Sequence, residues 1–236
     1  MKKILIVSGC SWTDRRFQSD FHDIDCSWPK WHEILAKKLD VELVSLGKCG
    51  AGQEYIFNSI VEYISSLSNE DIKRIHMVIA AWTNSPRRDY QVNEKWYTIR
   101  FDDHGDAYYI LKKSLRYFYQ FQVFCERFNL PYKQINMLSD PVYDFHGLPV
   151  IYNHGPVNIG KLIQVFTTSP LFSKINNKNF IGWPYFFDMG GFSINKKLNL
   201  LVKKNNPENQ YKISNIDGHP NKKGNEEIAR IIYENI

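Results

Sequence analysis

The apolar positions of this chain fall into short unbroken runs separated by stretches with a helical period. Residues 3–8 contain Ile4-Leu5-Ile6-Val7, apolar at every position and closed by Gly9. A strand covered on one face alternates apolar with polar, so a run without alternation predicts a strand buried on both faces, as in a parallel sheet. Over residues 28–39, Trp28, Trp31, Ile34, Leu35 and Leu39 recur at helical spacing, with Ser27 as the expected N-cap and Pro29 and Glu33 in the first turns. Residues 41–46 read as a second strand, and Gly47-Lys48-Cys49-Gly50-Ala51-Gly52 as a glycine-rich turn. A helix is predicted near 53–67, with Ile56, Ile60, Val61 and Ile64 on one face, followed by a third buried strand over 74–81. The succession β-α-β-α-β predicts a parallel sheet covered by helices.

Beyond residue 85 the pattern is less regular. Residues 86–108 mix charges with aromatics and predict an excursion or a short hairpin, 109–128 a helix, and 131–137 a fourth strand. Residues 139–195 hold prolines, glycines and aromatics without a sustained period. A stretch of that length without its own structure is uncommon inside a compact domain, so an insertion or lid is expected there. Ile228, Ile231 and Ile232 give residues 222–235 the pattern of a closing amphipathic helix. With no internal repeat or low-complexity tract, residues 1–236 are expected to form one domain.

Composition narrows the class. At 236 residues, with 43% hydrophobic and 23% charged, the chain is long enough for a sizeable core and unlike a disordered polymer. Aromatics reach 15%, so Trp183-Pro184-Tyr185-Phe186-Phe187 and Tyr108-Tyr109 are candidates either for core or for the lining of a sugar or acyl pocket. The net charge of +5 comes from dispersed lysine pairs rather than a basic block, which suits solvated helix faces and makes nucleic acid an unexpected partner. Cysteines 10, 26, 49 and 125 show no C-x-x-C and no metal-ligand spacing with histidine, so free thiols, no metal and no cofactor are expected. No segment reaches the roughly 20 apolar residues of a membrane span. The stretch after Met1-Lys2-Lys3 is shorter than a signal-peptide core, which directs the expectation to the cytoplasm and away from a membrane.

Ligands of a parallel α/β sheet bind at the carboxyl ends of its strands. Ser11 in Ser8-Gly9-Cys10-Ser11-Trp12-Thr13-Asp14, the Gly50 turn and Thr83-Asn84 each follow one of the first three predicted strands, so they are expected to converge. Asp217-Gly218-His219-Pro220-Asn221 stands directly before the last helix. This order of blocks resembles the SGNH (GDSL-like) hydrolase family over residues 3–84 and 213–236. The resemblance implies a three-layer α/β/α, flavodoxin-like fold and the activity of an esterase, lipase, deacetylase or acyltransferase. The first block, Gly-Cys-Ser-Trp-Thr, is similar to that of short bacteriophage proteins, which implies a viral source, with the host cell as the place of action.

Carried over by the resemblance, Ser11 matches the nucleophile, His219 the base that activates it, and Asp217 the carboxylate that orients the imidazole. The backbone N–H groups of Ser11 and Gly50 match oxyanion donors, with Thr83 or Asn84 as the third and the offset from the strand favouring Thr83. Three blocks depart from the family pattern: Gly-Asp-Ser is Gly-Cys-Ser, Asp-x-x-His is Asp217-Gly218-His219, and Gly-x-Asn-Asp is Ala81-Trp82-Thr83-Asn84. Trp12, Arg87 and Arg88 are candidates for substrate binding, the arginines for an anionic group. The residues also allow plainer readings: Ser11 as a turn serine, Gly50 as a glycine needed for φ > 0, Cys10 as an alternative nucleophile. The expected function is a serine-dependent hydrolase of an ester, such as an O-acetyl group on a glycan or a small acyl ester. The alternatives are a binding module without catalysis and an acyltransferase using the same serine.

Overall fold

The computed structural model describes residues 2–99, 105–138, 157–186, 189–204 and 211–236. Its centre is a parallel sheet built from β1 (Ile4–Gly9), β2 (Glu42–Ser45), β3 (Ile75–Trp82), β6 (Tyr132–Asn136) and β7 (Phe180–Ile181), in the order β2-β1-β3-β6-β7. Counting only the strands of this sheet, the order is the 2-1-3-4-5 of flavodoxin-like folds. Neighbouring side chains of a strand point to opposite faces, and here both faces are covered. Ile4, Ile6, Val78, Ala80 and Trp82 pack with α2 (Gln53–Ser65), α4 (Ala107–Arg127) and α5 (Ile159–Thr167). Leu5, Val7, Ile79 and Ala81 pack on the other side with α1 (Trp31–Leu39), α6 (Ile194–Lys204) and α7 (Lys222–Tyr233). The unbroken apolar runs of the sequence are thus the middle layer of a three-layer α/β/α arrangement.

Between β3 and α4 the chain makes a two-stranded antiparallel ribbon, β4 (Arg88–Val92) and β5 (Lys95–Ile99). Its two-residue turn holds Asn93 and Glu94 at φ 48° and 61°, the left-handed pair that matches the twist of a hairpin. A short helix, α3 (Asn69–Lys73), leads into β3, and the Ser68 hydroxyl caps it by accepting the Asp71 N–H.

Two expectations change in detail. Ser27 does not cap α1, because its N–H and hydroxyl both donate to Asp25, at 2.8 and 2.7 Å, in a separate turn. The helix starts at Trp31, where Glu33 reaches back to accept the Lys30 N–H at 2.9 Å and Asn225 of α7 accepts the Trp31 N–H at 2.9 Å. The segment 139–195, expected as an insertion or lid, supplies α5, β7 and the start of α6 over its described residues. Residues 139–156 and 187–188 lie outside the described residues. Trp183, Tyr185 and Phe186 join Phe118, Phe166 and Phe180 in the core, whereas Phe187 lies outside the described residues. Among the described residues no helix is long and apolar enough to cross a membrane.

Candidate active site

β1 ends at Gly9, and the chain folds back at once in a turn closed by the Thr13 N–H on the Cys10 carbonyl, 2.8 Å. Only glycine fits before this turn, since a Cβ on Gly9 would stand 2.3 Å from the Thr13 hydroxyl oxygen. Cys10 and Trp12 are drawn into the apolar cluster beneath the sheet. Ser11 between them lines a cleft of about 190 Å³ at the carboxyl ends of the strands. Cys10, the alternative nucleophile of the sequence reading, is fully buried and is not among the residues that line the cleft.

His219 reaches the same cleft from the loop before α7. That loop is pinned at its base: the Asn221 N–H donates to the Tyr211 carbonyl, the Ile213 N–H to the His219 carbonyl, and the Asn221 amide to the Lys212 carbonyl. His219 Nε2 lies 2.8 Å from Ser11 Oγ, and its Nδ1 lies 2.6 Å from Asp217 Oδ1. The two-residue spacing from Asp217 works because the same carboxylate oxygen also accepts the His219 backbone N–H at 3.1 Å, so the turn closes on its own acid. The other oxygen, Oδ2, accepts from the Ser19 hydroxyl at 2.5 Å. Burial pushes the Asp217 carboxyl up, but the hydrogen bonds from the His219 ring, Ser19 and the His219 N–H together outweigh it and hold it at about 2. An ionised Asp217 fixes the proton on Nδ1, which leaves Nε2 to accept from Ser11. The Phe17 ring stacks on the imidazole at 4.1 Å between centroids.

The glycine-rich turn after β2 forms the next wall. Gly50 has φ +80° with nothing within 4 Å of where a Cβ would stand, so its glycine answers to backbone conformation rather than to space. Each flank of Gly50 is held from elsewhere. Asp14 accepts the Cys49 N–H at 2.8 Å, and Arg87 Nη1 donates to the Ala51 carbonyl at 2.9 Å. Asp89, from the ribbon, accepts the Gly52 and Tyr55 N–H groups, both at 2.8 Å. Gly52 is the N-cap of α2 and has no side chain to satisfy those donors, so Asp89 caps the helix from a distance of 37 residues in sequence. Among the described residues no acceptor takes the backbone N–H of Ser11 or of Gly50.

The third block divides differently from the expectation. Thr83 is fully buried and its hydroxyl accepts from Arg87 Nη1 at 2.9 Å, while Asn84 lines the cleft. The residue one step further from the strand is therefore the one that lines Ser11's cleft, while Thr83 is turned inward beneath it. Arg87 and Trp12 also line the cleft, together with Phe17, Phe21 and Leu138. Arg88, the first residue of β4, does not: it lines a separate concavity with Glu54, Tyr109 and Lys113. Ser19, Phe17, Asp14 and Asp89 are contributors that the sequence reading gave no role. Among the described residues no three His, Cys, Asp or Glu side chains gather as metal ligands.

Chemically, the arrangement provides a hydroxyl hydrogen-bonded to an imidazole and an imidazole oriented by an ionised carboxylate, with Gly50 and Asn84 on the same cleft. No protein-family model matches the chain, and no curated protein matches it. Among solved structures it is similar to a member of the lipolytic protein G-D-S-L family from Veillonella parvula, at 12% identity and TM-score 0.47, over 98% of this chain and 97% of that one. It is similar at the same identity and TM-score to a putative lipolytic protein of the G-D-S-L family from Desulfitobacterium hafniense, over 100% of both chains. A third similar structure is the psychrotrophic esterase EstA from Pseudoalteromonas sp. inhibited by monoethylphosphonate, again at 12% and 0.47, over 99% of this chain and 96% of that one. At that distance a likeness assigns no residue its role.

Proposed function

We propose that this chain is a serine hydrolase of the SGNH (GDSL-like) type acting on carboxylic esters, with Ser11 as nucleophile, His219 as general base and acid, Asp217 as the orienting carboxylate and no cofactor. The observation that carries the reading is the continuous chain from Ser11 Oγ to His219 Nε2 at 2.8 Å and from His219 Nδ1 to Asp217 Oδ1 at 2.6 Å. An alcohol is a weak nucleophile at neutral pH and needs such a base. Ser11 Oγ adds to the ester carbonyl as its proton passes to Nε2. The tetrahedral oxyanion meets the N–H groups of Ser11 and Gly50 and the side chain of Asn84. The C–O bond then breaks, and the alcohol leaves with the proton from His219. Water, deprotonated by His219, attacks the acyl-serine, and collapse returns the proton to Ser11 and releases the acid.

The small cleft and its walls of Trp12, Phe17, Phe21 and Leu138 support a short acyl group, such as an O-acetyl group on a glycan or another small ester. The test is hydrolysis of p-nitrophenyl acetate by the wild type and by Ser11→Ala. The reading expects turnover in the wild type and a loss of about 10³-fold or more in the variant with the fold intact. Turnover retained in the folded variant would sink it, and binding of an ester without turnover in either protein would make the chain a binding module.

A further inference from the structure

We infer that Arg87 makes the Ser11 cleft selective for esters that carry an anionic group, a carboxylate or a phosphate, near the scissile bond. The inference rests on the hydrolase reading and deepens it. Arg87 lines the cleft, and one nitrogen alone, Nη1, is spent on the protein, donating to the Ala51 carbonyl and the Thr83 hydroxyl, both at 2.9 Å. Its main chain is fixed as well, because Lys113 Nζ donates to the Arg87 carbonyl at 2.9 Å. Among the described residues the Nε and Nη2 groups have no acceptor, and no carboxylate comes within ion-pair distance, Asp20 on the same cleft included.

A long flexible cation on an open surface normally keeps its freedom, since ordering it costs side-chain entropy. Here the guanidinium is ordered by two oxygens from the two loops that flank the oxyanion site, and its charge is not neutralised there. The planar fork suits two parallel hydrogen bonds to a carboxylate or phosphate. Because Ala51 follows Gly50 and Thr83 precedes Asn84, a ligand anion on Arg87 sits beside the reacting carbonyl rather than at a remote surface. The same geometry makes a neutral ester a poorer substrate, as it leaves the fork without a partner.

The experiment compares kcat/KM for 3- and 4-acetoxybenzoate with the corresponding acetoxybenzamides, which are neutral and of nearly the same shape, in the wild type, Arg87→Lys and Arg87→Gln. The inference expects the better carboxylate to exceed its amide by about 10- to 100-fold in the wild type. That preference falls to near unity in Arg87→Gln and is partly kept in Arg87→Lys, which retains charge but not the fork. It also shrinks with added salt. The ratio within each protein is read, so a general loss of rate in a variant does not disguise the result. A wild-type ratio near one, or a preference that survives Arg87→Gln, overturns the inference while neutral turnover leaves the hydrolase reading standing. Absence of any Ser11-dependent turnover of both the carboxylates and the amides instead removes the hydrolase reading.

Discussion

Asp217 ties three donors to one carboxylate, and its ionisation therefore links stability to pH. Its carboxyl lies at about 2 against an ordinary 3.8, so the folded state favours the charged form. The stability this contributes is fully present above about pH 4 and is lost as pH falls through about 2, a total of about 2 kcal/mol. Urea unfolding followed from pH 5 to pH 2 is expected to show that loss in the wild type and not in Asp217→Asn; parallel pH slopes would exclude it. The same variant leaves the imidazole without its ionised partner, and kcat is expected to fall by roughly 10³- to 10⁴-fold. Ser19→Ala removes one of the donors that hold Asp217, so a smaller drop, about tenfold in kcat with KM unchanged, is expected in steady-state assays. Of the residues the proposal assigns a role, Ser11, His219, Asp217 and Gly50 stand in blocks that the sequence displays. Ser19 and Phe17 were not legible there, because a serine and a phenylalanine in a loop become informative only when a residue about 200 positions away folds onto them.

Among the elements, the N-terminus of α2 shows how the ribbon serves the site. Gly52 is excluded from carrying a capping side chain by space as well as by identity, since a Cβ there would stand 2.6 Å from Asp89 Oδ2. The carboxylate of Asp89 takes over the cap and also receives the Thr98 hydroxyl at 2.5 Å. Asp89→Ala is expected to lose about 1–2 kcal/mol in urea or thermal unfolding, with the Gly50 turn losing one of its anchors and ester turnover falling as well. An unchanged midpoint would show that water caps the helix equally well. Helices and strands with long periodic or unbroken runs, such as β1, α2, β3 and α7, were legible. β7 was not, because two residues carry no period, and α5 sits in a segment crowded with prolines, glycines and aromatics. Ser27 misled because a good capping residue is equally good at an Asx-type turn with Asp25, and the nearer partner won.

Over the whole molecule, the parallel sheet gathers turns from distant parts of the chain at one edge, and Trp82 at the end of β3 shows what keeps that edge in register. Its ring packs on Phe118 and Phe121 of α4, and its Nε1–H donates to Gln134 of β6 at 3.0 Å. Trp82→Phe keeps most of the packing and strands the buried Gln134 oxygen, so a loss of about 1–3 kcal/mol is expected in urea unfolding. Retained stability would assign that bond little weight. The layer order was legible because unbroken apolar runs leave few alternatives to a sheet covered on both faces. Which of Thr83 and Asn84 reaches the cleft was not, since it depends on the path the chain takes after β3, which buries the first and leaves the second on the cleft. The measurement that goes straight to the activated serine is labelling of the purified protein with a fluorophosphonate, read by intact mass beside Ser11→Ala. A single adduct in the wild type that is absent from the folded variant is the expected result. An unlabelled wild type, or an adduct that persists in Ser11→Ala, would mean that Ser11 is not the nucleophile.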